Sequence, residues 1–109
     1  MAKGWYIYVD DIRNMEQDRR DYLWSIGYVP ITIRDYVSAI DCLADQLISS
    51  QEVYIDLDHD LGESKSGYDI CKWIVENQYP LTGFHIHSMN PVGAQNMREL
   101  LEHYGYLQV

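Results

Sequence analysis

The chain alternates short β-branched and aromatic runs with stretches of helical periodicity. Trp5-Tyr6-Ile7-Tyr8-Val9 is an unbroken run that stops at Asp10-Asp11, which predicts a buried strand. Ile12, Met15, Tyr22, Leu23 and Ile26 then fall on one helical face, and Gly27 closes that helix. Pro30-Ile31-Thr32-Ile33 predicts a second strand, closing on Arg34. Asp35 is placed to cap one helix with the stripe Tyr36, Val37, Ile40, Leu43, Ala44 and Leu47. Val53 to Leu57 predicts a third strand, and His59 to Ser66 a polar loop. Gly67, Ile70, Cys71, Ile74 and Val75 mark a third helix, after which Pro80 breaks the chain. Gly83 to His87 predicts a fourth strand. Asn90 caps a last helix, with Pro91 at its first position and Met97, Leu100, Leu101 and Tyr104 on one face. Gly105 ends it, leaving Tyr106 to Val109 as a short fifth strand.

Strand and helix in regular alternation imply right-handed βαβ crossovers, hence an α/β fold. The expected architecture is a short parallel sheet of four or five strands with helices on both faces. Ligands in such sheets bind beyond the carboxyl ends of the strands. The first strand delivers Asp10 and Asp11 to that rim, the second Arg34, the third Asp58, His59 and Asp60, and the fourth His87 and Ser88. This convergence is the strongest functional signal in the sequence.

Composition narrows the reading. With 109 residues there is room for a single domain over 1–109. Eight Lys and Arg against seventeen Asp and Glu give a net charge of -9, so duplex DNA is an improbable partner. A small nucleotide or an RNA end stays compatible, because a divalent cation or placed arginines reverse the local sign. Cys42 and Cys71 fall in helical patterns with no zinc-type spacing, which suits a reducing compartment. No signal peptide or membrane-spanning run is expected, and the expected location is the cytoplasm.

The rim residues carry the chemistry. If the third strand sits beside the first, Asp10, Asp11 and Asp58 lie on neighbouring strands and repel one another unless one is protonated or a hard cation, Mg²⁺ or Mn²⁺, lies between them. Asp56 competes with Asp58 for that role, since both face the same way; the plainer alternative is that these acids only cap helices or end strands. His85 and His87 share a strand face, and His87 is nearer the rim. His85 is expected deeper, as a core residue. A carboxylate beside His59 would fix its tautomer. Arg13 and Arg34 match phosphate geometry, and the turn at Ser88 and Asn90 opens a helix.

The segments Val9-Asp10-Asp11, Leu57-Asp58-His59-Asp60-Leu61-Gly62, Ser66-Gly67-Tyr68-Asp69 and His87-Ser88-Met89-Asn90-Pro91, with Gly93 and Met97, carry a resemblance. The acids and the Ser resemble a response-regulator receiver domain. The histidine motifs are similar to the divergent cyclic-phosphate processing receiver domains. The resemblance implies a receiver-like, flavodoxin-like three-layer sandwich. It also implies hydrolysis or opening of a cyclic phosphate, in a cyclic nucleotide or at an RNA end. On that reading Asp10, Asp11 and Asp58 hold the metal, His59 and His87 act as base and acid, and Arg13, Arg34, Ser88 and Asn90 bind phosphate. An ordinary receiver has a lysine after its fifth strand; here the chain reads Tyr106-Leu107-Gln108-Val109, which argues against a phosphorylation switch. A non-catalytic cyclic-nucleotide-binding module and a protein-interaction domain are the alternatives.

Overall fold

In a computed structural model, which describes residues 2–109, the strands are β1 (Gly4–Val9), β2 (Tyr28–Ile33), β3 (Glu52–Leu57) and β4 (Gly83–Ile86). They pair in parallel in the order β2-β1-β3-β4. The helices are α1 (Gln17–Ser25), α2 (Tyr36–Ala44), α3 (Gln46–Ser49), α4 (Gly67–Glu76) and α5 (Pro91–His103). β1 lies between β2 and β3, so the first and third strands are neighbours and their acidic ends meet. Tyr8 stands opposite Asp56 in that pairing.

Period-two alternation divides the sheet into two unlike faces. Ile7, Val9, Val53, Ile55, Leu57, Phe84 and Ile86 point to one side and pack against Leu43, Ile48, Ile70, Ile74, Met97 and Leu101 of α2 to α5. Tyr6, Tyr8, Tyr54, Asp56 and His85 point the other way. There, Tyr6 and Tyr8 pack with Met15 and with Leu23 of α1, flanked by Tyr28 and Tyr54. Both faces carry helices, as expected, but four lie on the apolar side and α1 alone on the tyrosine side.

Several expected boundaries move, each for a local reason. The first helix starts at Gln17, leaving Ile12 80% exposed rather than in the core. The backbone N–H groups of Ile12 and Arg13 donate to Asp10 Oδ1, at 2.9 and 2.7 Å, which turns the chain before a helix begins. Tyr22, also placed on the buried stripe by periodicity, is exposed. The second helix is broken at Asp45, whose carboxylate accepts from Leu47 and Ile48 N–H and starts a new turn, α3. The fifth strand is reduced to one parallel bridge, Phe84 to Gln108. β4 ends one residue before His87, whose N–H still donates to the Leu57 carbonyl at 3.0 Å. His87 is therefore held on β3's ladder although the strand has ended.

α4 begins tight against the end of β3. Ser66 and Asp69 form a reciprocal capping box. The Gly67 N–H donates to the His59 carbonyl at 2.7 Å, and a Cβ on Gly67 would stand 2.1 Å from the Asp58 carbonyl oxygen. Only glycine permits that approach.

Candidate functional site

Asp10, directly after β1, is 1% exposed and fully engaged. Its Oδ1 takes the two N–H groups of the turn, and its Oδ2 faces His87 Nε2 at 3.1 Å and Arg13 Nε at 3.2 Å. On its other edge, His87 Nδ1 meets Asp56 Oδ1 at 2.5 Å. Asp56 Oδ2 in turn accepts from the Tyr6 hydroxyl at 2.8 Å, over which Arg19 Nη2 stands at 3.4 Å. The chain of partners thus runs Arg19, Tyr6, Asp56, His87, Asp10, Arg13. Tyr8 closes it from the side, its ring stacked on the His87 imidazole.

Charge follows from this geometry. An imidazole with a carboxylate at each nitrogen is best satisfied as a two-donor imidazolium. Burial pushes the His87 pKa down, but hydrogen bonds and charge from Asp56, then Asp10, outweigh it and the pKa is raised. For Asp10, burial favours the neutral form, yet the Arg13 and Ile12 N–H groups and His87 hold its pKa below the usual value. With His87 protonated, the two groups stabilise each other as an ion pair.

Asp58, also buried, lies across from Asp10, with Arg13 Nη2 at 3.9 Å from its Oδ2. Asp10, Asp58 and His87 each offer one ligand atom, all within 4.8 Å of one another. The two hard carboxylate oxygens suit Mn²⁺ and, with added waters, Mg²⁺, and the imidazole would join them only after Nε2 has given up its proton. Arg13 supplies the counter-charge there, and its side chain is half exposed. The donor set fits a divalent cation.

The other rim residues are placed differently. Asp11 is turned toward Gly62, where a Cβ would stand 2.8 Å from its Oδ2, and does not belong to the three-atom cluster. It lines the mouth with Ile12, Arg13, Asp60 and Gly62. The Arg34 guanidinium donates to the carbonyls of Asp10 (3.1 Å) and Arg13 (2.7 Å) and to the Asn14 side chain, so it fastens the β1–α1 loop. His59 Nδ1 faces Asp60 Oδ1 at 2.9 Å, and its ring lies over Gly93, where a Cβ would stand 2.5 Å away. Ser88 Oγ accepts from Asn90 N–H, and Asn90 Oδ1 caps α5 through Gly93 N–H. His85, expected in the core, is only half buried on the tyrosine face, its Nδ1 3.1 Å from the Val109 carbonyl.

Tyr6, Tyr8 and Arg19 were not legible as site residues. The one available signal was spacing: Tyr6 and Tyr8 share a strand face with Asp10. Between Asp56 and Asp58 the structure divides the labour: Asp56 holds His87, and Asp58 joins the acid cluster.

Against known proteins, no curated sequence gives a significant match. Among solved structures the chain is similar to the signal receiver domain of a protein described as a Luxo repressor from Vibrio parahaemolyticus. The TM-score is 0.60 at 19% identity, covering 97% of this chain and 78% of that one. This likeness establishes a flavodoxin-like receiver fold. The profile of the cyclic-phosphate processing receiver domain matches residues 5–103, nearly the whole chain. The acids at the ends of β1 and β3, and the histidines after β3 and β4, thus sit within a continuous family match, and the chain belongs to the cyclic-phosphate processing receiver domain family.

Proposed function

We propose that the domain is a phosphoesterase that opens a cyclic phosphate, with Asp10 and Asp58 holding Mg²⁺ or Mn²⁺ beside His87. The observation that carries this reading is His87 fixed between Asp56 and Asp10 at the carboxyl end of the sheet. A charged, oriented imidazole beside a cation-compatible carboxylate pair is an acid placed where a phosphate binds. When bound, the cation neutralises phosphate charge and acidifies water. Hydrolysis forms one bond from water oxygen to phosphorus and breaks one ring P–O bond. The water proton passes to His59, which Asp60 orients through Nδ1. The His87 proton passes to the departing alkoxide. Arg13, at the mouth, is the guanidinium available to the phosphate, and Ser88 and Asn90 shape the turn beside it.

A second reading has its own support. His87 and Arg13 already balance the charge of Asp10 without a cation, which suits a module that binds a cyclic phosphate and releases it intact. Incubation with 2′,3′- and 3′,5′-cyclic nucleotides, with and without Mg²⁺ or Mn²⁺, separates the two. Ring-opened product from wild type that falls roughly 10²-fold in His87→Gln supports the enzyme. Binding without product supports the module, and neither result removes the cyclic phosphate from this site.

A further inference from the structure

Asp56 lies on the tyrosine face of β3, with Tyr8 opposite it on β1 and His85 opposite it on β4. It is buried, and among the described residues two side chains bond it, one at each oxygen. Oδ1 meets His87 Nδ1 at 2.5 Å, and Oδ2 accepts from the Tyr6 hydroxyl at 2.8 Å. His85, although opposite Asp56 in register, turns its Nδ1 to the Val109 carbonyl instead. Tyr6 is also buried, and the other side chain at its hydroxyl is Arg19 of α1.

Donors and acceptors along this chain run in one direction. A guanidinium donates and never accepts, so Arg19 Nη2, 3.4 Å from the Tyr6 oxygen, takes up a lone pair there. The single hydroxyl hydrogen is left for Asp56 Oδ2. Burial, and after it the charge of Asp56, push the Tyr6 pKa up, so the hydroxyl keeps that hydrogen. A carboxylate held at one oxygen presents the other as an acceptor, and the matching group on the imidazole is Nδ1–H. The last torsion of an Asp side chain is broad and roughly twofold. Bonded at one end only, the Asp56 carboxylate could roll and carry Oδ1 out of the imidazole plane. The Tyr6 bond removes that freedom, and it is buried, where water competes little.

We propose that Tyr6 is a positioning residue for His87: its hydroxyl, aimed by Arg19, holds Asp56 so that the imidazole keeps its Nδ1 proton and exchanges protons through Nε2 alone. Nε2 is the nitrogen that faces Asp10 and the acid site. The catalytic use of this orientation rests on His87 being the acid of a phosphoesterase; the orientation itself does not. A tyrosine that only filled the face would act through its ring, which packs with Met15 and Leu23. Its hydroxyl could then be removed without consequence for His87.

The test is Tyr6→Phe, which keeps the ring and removes the hydroxyl. Nitrogen-15 histidine NMR in EDTA reads the Nδ1–H proton of His87, assigned by its absence from His87→Gln. In wild type that proton should lie far downfield and exchange slowly with water. In Tyr6→Phe it should move upfield and exchange faster. On a cyclic nucleotide that wild type opens, kcat should fall about 10- to 100-fold with KM unchanged, the usual effect of losing a group that orients a functional histidine. Arg19→Gln, at an exposed position, should shift the same proton in the same direction, and it serves where Tyr6→Phe does not fold. Tyr22→Phe, which removes an exposed hydroxyl from α1, should change neither proton nor kcat. An unchanged Nδ1–H proton in the folded variants overturns the proposal, whatever their stability. A shifted proton with kcat intact overturns the part Tyr6 plays in the reaction. Wild type that yields no ring-opened product overturns the phosphoesterase reading instead, and the NMR comparison still decides whether Tyr6 orients the imidazole.

Discussion

The His87 imidazole lies flat on the Tyr8 ring, centroids 4.4 Å apart and planes 7° from parallel. Tyr8 comes from the carboxyl end of β1, and His87 from the residue after β4, with β3 between them. The stack fixes the imidazole plane, and the carboxylates of Asp56 and Asp10 fix its two edges. His87 has almost no rotational freedom.

That confinement predicts a stability cost. A rim position by itself would leave a histidine with little buried surface and its loss with little effect on the fold. The side chain is in fact 15% exposed and separates two buried carboxylates. His87→Ala leaves both unpaired and should cost about 2–4 kcal/mol in urea denaturation. His87→Ala with Asp56→Asn should recover part of the loss, since one uncompensated charge is removed. A His87→Ala variant as stable as wild type would show that the buried chain does not form.

The same pairing predicts a pH dependence in metal-free protein. The folded pKa of His87 is raised above its unfolded value near 6.5. Its contribution is therefore fully present below about pH 6.5 and lost as pH rises through the higher folded value. Asp10 behaves oppositely: its lowered pKa contributes stability above the ordinary aspartate value near 3.8, and this is lost as pH falls through the lower folded value. Urea midpoints in EDTA should thus decline on the alkaline side in wild type and stay flatter there in His87→Gln. Parallel profiles would remove His87 as the cause.

A cation held by Asp10 and Asp58 beside His87 should raise the melting temperature. Mn²⁺ or Mg²⁺ at a hundred times its dissociation constant stabilises by about 2.7 kcal/mol. Asp58→Asn should abolish the shift while leaving the His87 pair intact, and Asp11→Asn should preserve most of it, since Asp11 stands outside the cluster. Scanning calorimetry with and without metal decides this, and identical wild-type curves would exclude the cation.

Arg34 should behave as a loop clamp. Its guanidinium ties down the carbonyls of Asp10 and Arg13, so Arg34→Ala should cost about 1–2 kcal/mol. Amide exchange at residues 11 to 14 should speed up. Arg34→Lys should restore little, because one ammonium does not span the carbonyls and Asn14 together. Slow exchange in that loop of the alanine variant would contradict the clamp.

What the sequence determined alone is what neighbouring residues decide. The β-branched and aromatic runs gave the strands, and Asp35 and Asn90 capped helices where the pattern placed them, because a cap is a contact across three residues. Asp10, Asp58 and His87 were legible as rim residues, since a strand's end is a local property. Tertiary structure decided the rest. His87 and Asp10 are 77 residues apart, and only the strand order β2-β1-β3-β4 brings them together. The roles of Asp56, Tyr6 and Tyr8 follow from cross-strand register, which no single segment encodes. The open tyrosine face has the same origin. Periodicity showed that each helix had an apolar stripe, but not that four of them would share one side of the sheet and leave the other to α1. Helix side is set by the handedness of each crossover and by the position of the next strand, both properties of the assembled sheet.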